Sequence, residues 1–300
     1  MIQDIGPCKV FQNEFHTPKD IEIQETDTVF FFDGRTILCR GGEGEKLCFP
    51  TVEECRRTGI GDISFRYLFA IVRGKKKHQY FLFVPGPLRE AEATMLLSAY
   101  HFERIFITRR IRPKDDCFAA SVAFQLYSWY RDSVYCGRCG TKTVLSRTER
   151  AKICPKCGNV IYPRICPAVI VGVMKDDKIL VTRYAGREYR GNALVAGFTE
   201  IGETPEGTVE REVMEEVGLH VKNIRYYKSQ PWGYASNLLM GFFCEVDGDA
   251  EISLEEDELA VAEFIPRDKI GEEARDVSLT ADMIMHFKEM GQEEIMKELH

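Results

Sequence analysis

Apolar and polar positions along the chain change rhythm several times. TVFFFDGRTILC (28–39) predicts two short apolar strands around Asp33 and Gly34, a pair that favours a two-residue hairpin turn. A second strand pair runs from Phe65 to Val72 and from Tyr80 to Val84, joined through the basic run RGKKKH (73–78). Pro85, Gly86 and Pro87 stop it, and LREAEATMLLSAYHFE (88–103) has helical period. Residues 116–131 predict another helix, with Phe118, Val122, Gln125, Leu126 and Trp129 at three- and four-residue steps. Residues 1–131 therefore read as an α+β domain with no catalytic constellation, suited to scaffolding, dimerisation or substrate positioning.

From Pro167 the texture shifts. AVIVGVM (168–174), the polar turn KDDK and ILVTRY predict a hairpin of buried strands. A glycine-rich loop leads to Thr204 and Pro205, a helix N-cap and a first-turn proline, and Gly218 is placed to end that helix. Gly207 inside it costs about 1 kcal/mol against alanine, so burial of the stripe Val209, Val213 and Val217 must hold the helix. Strands follow near 223–230 and 237–246, then LAVAEFIP, then a closing helix near 278–299 capped by Ser278. With a small segment at 132–166 between them, the chain divides into residues 1–131, 132–166 and 167–300.

Composition narrows the class. The 300 residues are 44% hydrophobic and 29% charged, enough to bury a core. A net charge of −7 and a pI near 5.6 argue against broad nucleic-acid binding, and the two basic runs, 73–78 and TRRIRPK (108–114), read first as solvated turns or helix ends. No apolar run approaches the ~20 residues that cross a bilayer, and the N-terminus lacks the apolar core of a secretory signal. The expectation is a cytoplasmic protein with no membrane partner.

Eleven cysteines sort into two groups. Cys8, Cys39, Cys48, Cys55, Cys117, Cys166 and Cys244 share no spacing and suit a reducing compartment. Cys136 and Cys139, then Cys154 and Cys157, form two CxxC knuckles, each followed by glycine. Two such knuckles supply the four-sulfur tetrahedron that zinc takes in structural sites, with no position left for water. Iron in the same geometry and a redox dithiol are the rival readings.

REVMEEVG (211–218) crowds Glu212, Glu215 and Glu216 onto one arc of a helix, where like charges three and four apart repel by a few tenths of a kcal/mol. With Gly197 and Glu203 upstream and Leu219 after, the stretch resembles the Nudix box, GX5EX7REUXEEXGU, with every constrained position filled. Magnesium or manganese takes hard oxygen ligands, and carboxylates on one helix face can hold two such ions against an anionic pyrophosphate. The resemblance implies a C-terminal Nudix α/β/α sandwich with a mixed sheet. It makes Glu212 and Glu216 the leading Mg2+ or Mn2+ ligands, with Glu215 sharing ligation or acting as base. Arg211 and Glu203 would pair to orient the helix. The carbonyl of Ala196 and the carboxylate of Glu258 would complete the metal shell.

The order of N-terminal domain, four-cysteine ribbon and Nudix domain resembles the NADH pyrophosphatase (NAD+ diphosphatase) branch over essentially the whole chain, and implies a Nudix-like N-terminal α+β domain. SQPWGYASN (229–237) stands where that branch carries SQPWPFPxS, and Tyr162, Pro163 and Arg164 match its YPR segment. Gly233 and Ala235 replace both later prolines and Asn237 replaces serine, which loosens the loop. The aromatic rings of Tyr162, Phe198, Trp232 and Tyr234 could stack on the flat rings of a dinucleotide. Gln230 and Asn237 could hydrogen-bond ring or ribose edges. Packing in the core is the competing role for each ring.

The resemblance implies hydrolysis of NAD(H) to AMP and nicotinamide mononucleotide by a homodimer. The same chemistry on an NAD-capped RNA 5′ end would release the cap, with the basic runs of the N-terminal domain as the place for RNA. ADP-ribose or another nucleoside diphosphate derivative is the alternative substrate. A nucleotide-sensing or nucleic-acid-binding protein without catalysis is the reading from another class, and the intact box stands against it.

Overall fold

The computed structural model describes residues 1–6, 9–15, 21–41, 46–84, 98–110, 113–184, 192–249, 251–253, 259–272 and 275–299. They form two compact units, Ile2–Arg164 with Gly233–Ser236, and Met1 with Ile165–Trp232 and Asn237–His300.

In the first unit the strands are β1 (Lys9–Gln12), β2 (Thr28–Phe30), β3 (Phe32–Asp33), β4 (Thr36–Cys39), β5 (Phe65–Arg73), β6 (Lys76–Phe83) and β7 (His101–Arg104), with helices α1 (Val52–Arg57) and α2 (Lys114–Asp132). One sheet has the order β1-β5-β6-β2 and another β3-β4-β7. The turn at Gly34 joins β3 to β4, with Phe32 opposite Ile37, but β2 leaves that hairpin and pairs parallel with β6, Val29 opposite Phe81. Both faces of the run are buried: Val29 and Phe31 pack in one cluster with Leu38 and Phe81, and Phe30 stacks on Tyr80. An apolar run that wide serves two sheets and cannot be one hairpin arm.

The expected helix over 88–103 falls largely outside the described residues. Its last part is strand, with Phe102 opposite Leu38. The basic run 73–78 spans the β5–β6 turn, where Lys75, Lys76 and Lys77 are solvated and the Arg73 Nε donates to buried Asp115 at 2.5 Å. The small segment carries β8 (Val144–Leu145), β9 (Lys152–Ile153) and β10 (Val160–Ile161) in the order β10-β9-β8.

The second unit has β11 (Cys166–Lys175), β12 (Lys178–Tyr184), β13 (Val195–Phe198), β14 (Val221–Trp232), β15 (Asn237–Val246) and β16 (Leu259–Pro266), with helices α3 (Pro205–Val217) and α4 (Leu279–Glu298). Its mixed sheet runs β14-β15-β11-β12-β16, with β13 also paired to β11; β11 and β15 are parallel and the other pairs antiparallel. Period-two alternation sends Val169, Val171 and Val173 to one face against Val209, Val213 and Val217 of α3. Ile170 and Met174 go to the other, against Met283, Ile284 and Phe287 of α4. Helices on both faces explain why the strands read as continuous apolar runs. The architecture is mixed α+β, with a helix–sheet–helix sandwich at the C-terminal end.

Candidate active site and metal centres

Local chemistry fixes the ends of α3. The Thr204 hydroxyl accepts from the Gly207 N–H at 3.1 Å, Pro205 occupies the first turn, and Gly218 closes the helix at φ +70°, donating its N–H to the Met214 carbonyl at 3.0 Å. The three valines are fully buried, which fixes the rotation of the helix about its axis. The glutamates on the adjacent arc are therefore graded in exposure: Glu216 is buried at 2%, the Glu212 side chain is 13% exposed and that of Glu215 is 53%.

Gly197 on β13 lies directly under Glu212. A methyl group built on Gly197 would fall 1.8 Å from Glu212 Cδ, so only glycine lets the carboxylate lie against the strand. The neighbouring Ala196 N–H donates to Glu216 Oε1 at 3.4 Å. These contacts set Glu212 against Gly197 and Glu216 against the Ala196 N–H, so two carboxylates of α3 face one short stretch of β13; carboxylate oxygens are the hard donors that Mg2+ or Mn2+ takes. Glu258, expected as a further ligand, lies outside the described residues.

Arg211 organises the acids. Its Nε and Nη2 grip Glu203 through both carboxylate oxygens, at 2.6 and 3.0 Å, and Nη1 donates to Glu212 and Glu215 at 2.8 Å each. Nη2 also donates to the Phe198 carbonyl at 2.9 Å, tying α3 to the end of β13. The Arg211 guanidinium, aided by the Glu200 N–H, holds the Glu203 carboxyl down at about 2, and Glu203 in turn raises Arg211 above its ordinary value. Thr208, which the sequence did not single out, donates its hydroxyl to Glu203 Oε2 at 3.1 Å. Its place five residues after Glu203, one turn into an acid-rich helix, was the available signal.

The candidate substrate residues separate. Sheet register sets Trp232 opposite Asn237 and Asn237 opposite Cys166 at one end of the sheet, with Ala168 opposite Phe198 two residues further along β11. Phe198 is 54% exposed, and Trp232 and Asn237 are half-buried, so all three present surface. Tyr162 is exposed on the other unit, its hydroxyl on Glu149 at 3.2 Å.

Two expectations need correction. Gln230 is fully buried and its Oε1 accepts the Leu279 N–H at 2.8 Å, so this amide caps the start of α4 and is spent on the fold. Tyr234 is 1% exposed, hydrogen-bonded to Thr108 Oγ1 at 2.9 Å and packed on the Phe106 ring at 5.3 Å. A ring sealed in that way cannot stack on a base. Close packing around the loop is general: a Cβ on Gly233 would meet the Ser121 carbonyl oxygen at 2.2 Å.

In the small segment the sulfurs of Cys136, Cys139, Cys154 and Cys157 all lie within 4.8 Å of one another, with pairs at 3.4 and 3.6 Å. Sulfurs at ~2.3 Å from a tetrahedral zinc would stand about 3.8 Å apart, so the cluster fits the ion with little movement. The Arg138 N–H donates to Cys136 Sγ at 3.4 Å and lowers that thiol below its ordinary value, whereas Cys157, against its hydrogen bond from Asn159, is pushed up to about 11 by burial and the neighbouring sulfurs. The ten described cysteines form no disulfide.

Residues 165–287 match the NUDIX domain family, and residues 131–162 match the family described as the NADH pyrophosphatase zinc ribbon domain. NAD-capped RNA hydrolase NudC of Escherichia coli O1:K1 / APEC is 41% identical over 146 residues, covering 49% of this chain and 56% of the relative. The same figures hold for NudC of Escherichia coli strain SMS-3-5 / SECEC. The alignment thus spans little more than half the length of these relatives. A solved NUDIX hydrolase from Nitrosomonas europaea aligns with 52% of this chain and 90% of its own at 24% identity and a TM-score of 0.45.

Proposed function

We propose that this chain, which carries a Nudix domain and an NADH pyrophosphatase zinc ribbon domain, is a metal-dependent hydrolase of the pyrophosphate bond of NAD(H), giving AMP and nicotinamide mononucleotide, and that it cuts the same bond where NAD caps an RNA 5′ end. The observation that carries this reading is the acidic arc of α3 laid on β13, Glu212 against Gly197 and Glu216 against the Ala196 N–H, with Arg211 holding the arc in place. Identity to relatives named as NAD-capped RNA hydrolases supports the choice of substrate.

Glu212, Glu216 and the Ala196 carbonyl would hold the ions, with Glu258 as a further candidate. Mg2+ or Mn2+ supplies charge neutralisation at the phosphates and acidifies a bound water. Glu215, the most exposed of the three acids, would share in holding the ions or accept the proton from the attacking water as the phosphorus–oxygen bridge breaks. Arg211 and Glu203 keep the helix in register with the strand and touch no substrate in this scheme. Phe198 and Trp232 would stack on the rings, and Asn237 would bond a ribose or ring edge.

The reading also takes the protein as a cytoplasmic homodimer. Ile201, at 103% exposure within the box, and Tyr226, at 51%, are apolar surface that a second copy would cover. Light scattering of the purified chain reads the dimer directly. The substrate is tested by product analysis with NADH, NAD+, ADP-ribose and NAD-RNA side by side in Mg2+ and Mn2+. Cleavage of ADP-ribose far faster than of either dinucleotide would replace the substrate; tight nucleotide binding with no hydrolysis in either metal would replace the enzyme.

A further inference from the structure

The chain is acidic as a whole, yet residues 131–164 hold eight Lys and Arg against two Asp and Glu, a local net of +6 in a total of −7. Arg138, Lys142, Arg147, Lys156 and Arg164 are all exposed, and none forms an ion pair with a described residue. Exposed cations elsewhere are matched in part: Arg57 to Glu53, Lys222 to Asp247 and Lys297 to Glu293, while Lys75, Lys76 and Lys77 have no ion pair with a described residue. The two acids of the segment are already engaged, Asp132 by Arg131 and Glu149 by the Tyr162 hydroxyl. The ribbon therefore presents positive charge that no described residue balances by an ion pair.

The topology gathers that charge. Arg138 and Lys156 occupy the same place in the two knuckles, each just before the second cysteine, and the four sulfurs pin both knuckles to one centre. Lys142 sits across a bridge from Tyr135, whose ring is 64% exposed. Beyond the knuckles, register aligns Val144, Ile153 and Val160 in one row across the three strands, with Val144 52% and Val160 42% exposed. Exposed apolar and aromatic side chains in the same small segment as cations without a described ion pair are the combination that holds single-stranded nucleic acid: bases lie on apolar and aromatic groups while Lys and Arg track the phosphates.

We infer that the zinc ribbon is a binding platform for the single-stranded RNA that follows the cap. This rests on the proposed reaction only for the identity of the capped end; the binding itself is independent of hydrolysis. It relocates the RNA from the basic run 73–78 of the N-terminal domain, where Arg73 is committed to Asp115 and the lysines mark a hairpin turn. An acidic protein partner would use the cations but not the apolar row and Tyr135.

The test uses the full chain with zinc bound. Binding of an unstructured, uncapped RNA of about twenty nucleotides is followed by fluorescence anisotropy against salt, beside kcat/KM for NADH and for NAD-RNA. The variant Arg138→Gln/Lys142→Gln/Arg147→Gln/Lys156→Gln is checked for zinc content and melting temperature. At ~0.7 per phosphate contact on a single strand, losing four contacts should flatten the logarithmic salt slope by about 3. The expected result is RNA affinity down at least tenfold, kcat/KM for NAD-RNA down in parallel, and kcat/KM for NADH unchanged. Tyr135→Ala alone should weaken RNA binding several-fold at constant salt slope. An unchanged slope in the fourfold variant, or equal losses on NADH and NAD-RNA, would overturn the platform. A chain that hydrolyses neither substrate but still binds RNA through these residues would overturn the proposed reaction and leave the platform standing.

Discussion

Replacing Gly197 by alanine separates the seat of Glu212 on β13 from the fold. The added methyl would lie 1.8 Å from Glu212 Cδ and 1.9 and 2.2 Å from its two carboxylate oxygens. Ordinary contact begins near 3.4 Å, so the carboxylate must retreat by about 1.6 Å or the strand must move. The carboxylate is the far end of a flexible side chain, while β13 is locked to β11 through Val169 and Val171, so Glu212 gives way. A displacement of ~1 Å at a reacting centre costs on the order of a hundredfold, or about 2.7 kcal/mol of barrier. Stability should fall by no more than the ~1–3 kcal/mol of an overpacked site. The assay is kcat with NADH in Mn2+, with circular dichroism melts and Mn2+ titration on the same preparation. The expected G197A is folded, binds Mn2+ more weakly and turns over at least a hundredfold more slowly. A folded variant with kcat within threefold of the parent would refute the contact with Gly197 as the place where Glu212 works.

Glu212→Gln and Glu216→Gln should each lower kcat at least a hundredfold while melting temperatures hold, read by the same NADH assay; near-normal rates in both would remove these carboxylates from the metal shell. Tyr234→Phe loses the hydroxyl on Thr108 and should cost ~1 kcal/mol of stability in a denaturant melt, with KM for NADH unchanged, whereas a raised KM would return this ring to the substrate. Glu203 titrates near 2 in the fold against ~4.3 unfolded, so its pairing stabilises above pH ~4.3 and is lost as pH falls through about 2. Acid unfolding of Glu203→Gln should therefore depend less steeply on pH across that window, and equal slopes would detach Glu203 from Arg211.

Features set by near neighbours were legible from sequence. Thr204, Pro205 and Gly218 delimit α3 because caps act within one turn, and AVIVGVM declared a strand buried on both faces because alternation is local. What escaped depends on partners far along the chain. Tyr234 meets Thr108 across 126 positions and Gln230 meets Leu279 across 49, so a motif that names both residues says nothing about which surfaces claim them. The run 28–33 misled for a related reason: its breadth reflects two sheets, and the second is built from β6, some fifty residues away. Net charge averages over the chain, so a total of −7 coexists with +6 over residues 131–164.

The acidic arc of α3 persists because its cost is small beside what holds the helix. Repulsion between glutamates three and four apart amounts to a few tenths of a kcal/mol per pair, and Arg211 offsets part of it by contacting Glu203, Glu212 and Glu215 at once. Burying Val209, Val213 and Val217 completely contributes ~1.5 kcal/mol or more apiece, several times the repulsion. One face of the helix can therefore be given wholly to packing and the next wholly to chemistry. A single guanidinium against three carboxylates also leaves an excess of negative charge on this face of the helix. Converting Arg211 to lysine would keep its charge but lose the fork that grips Glu203 while reaching Glu212 and Glu215, so the arrangement depends on guanidinium geometry as much as on charge. The divalent ions complete a balance that the helix can bear without them, which is why α3 is capped, packed and oriented by the protein chain alone.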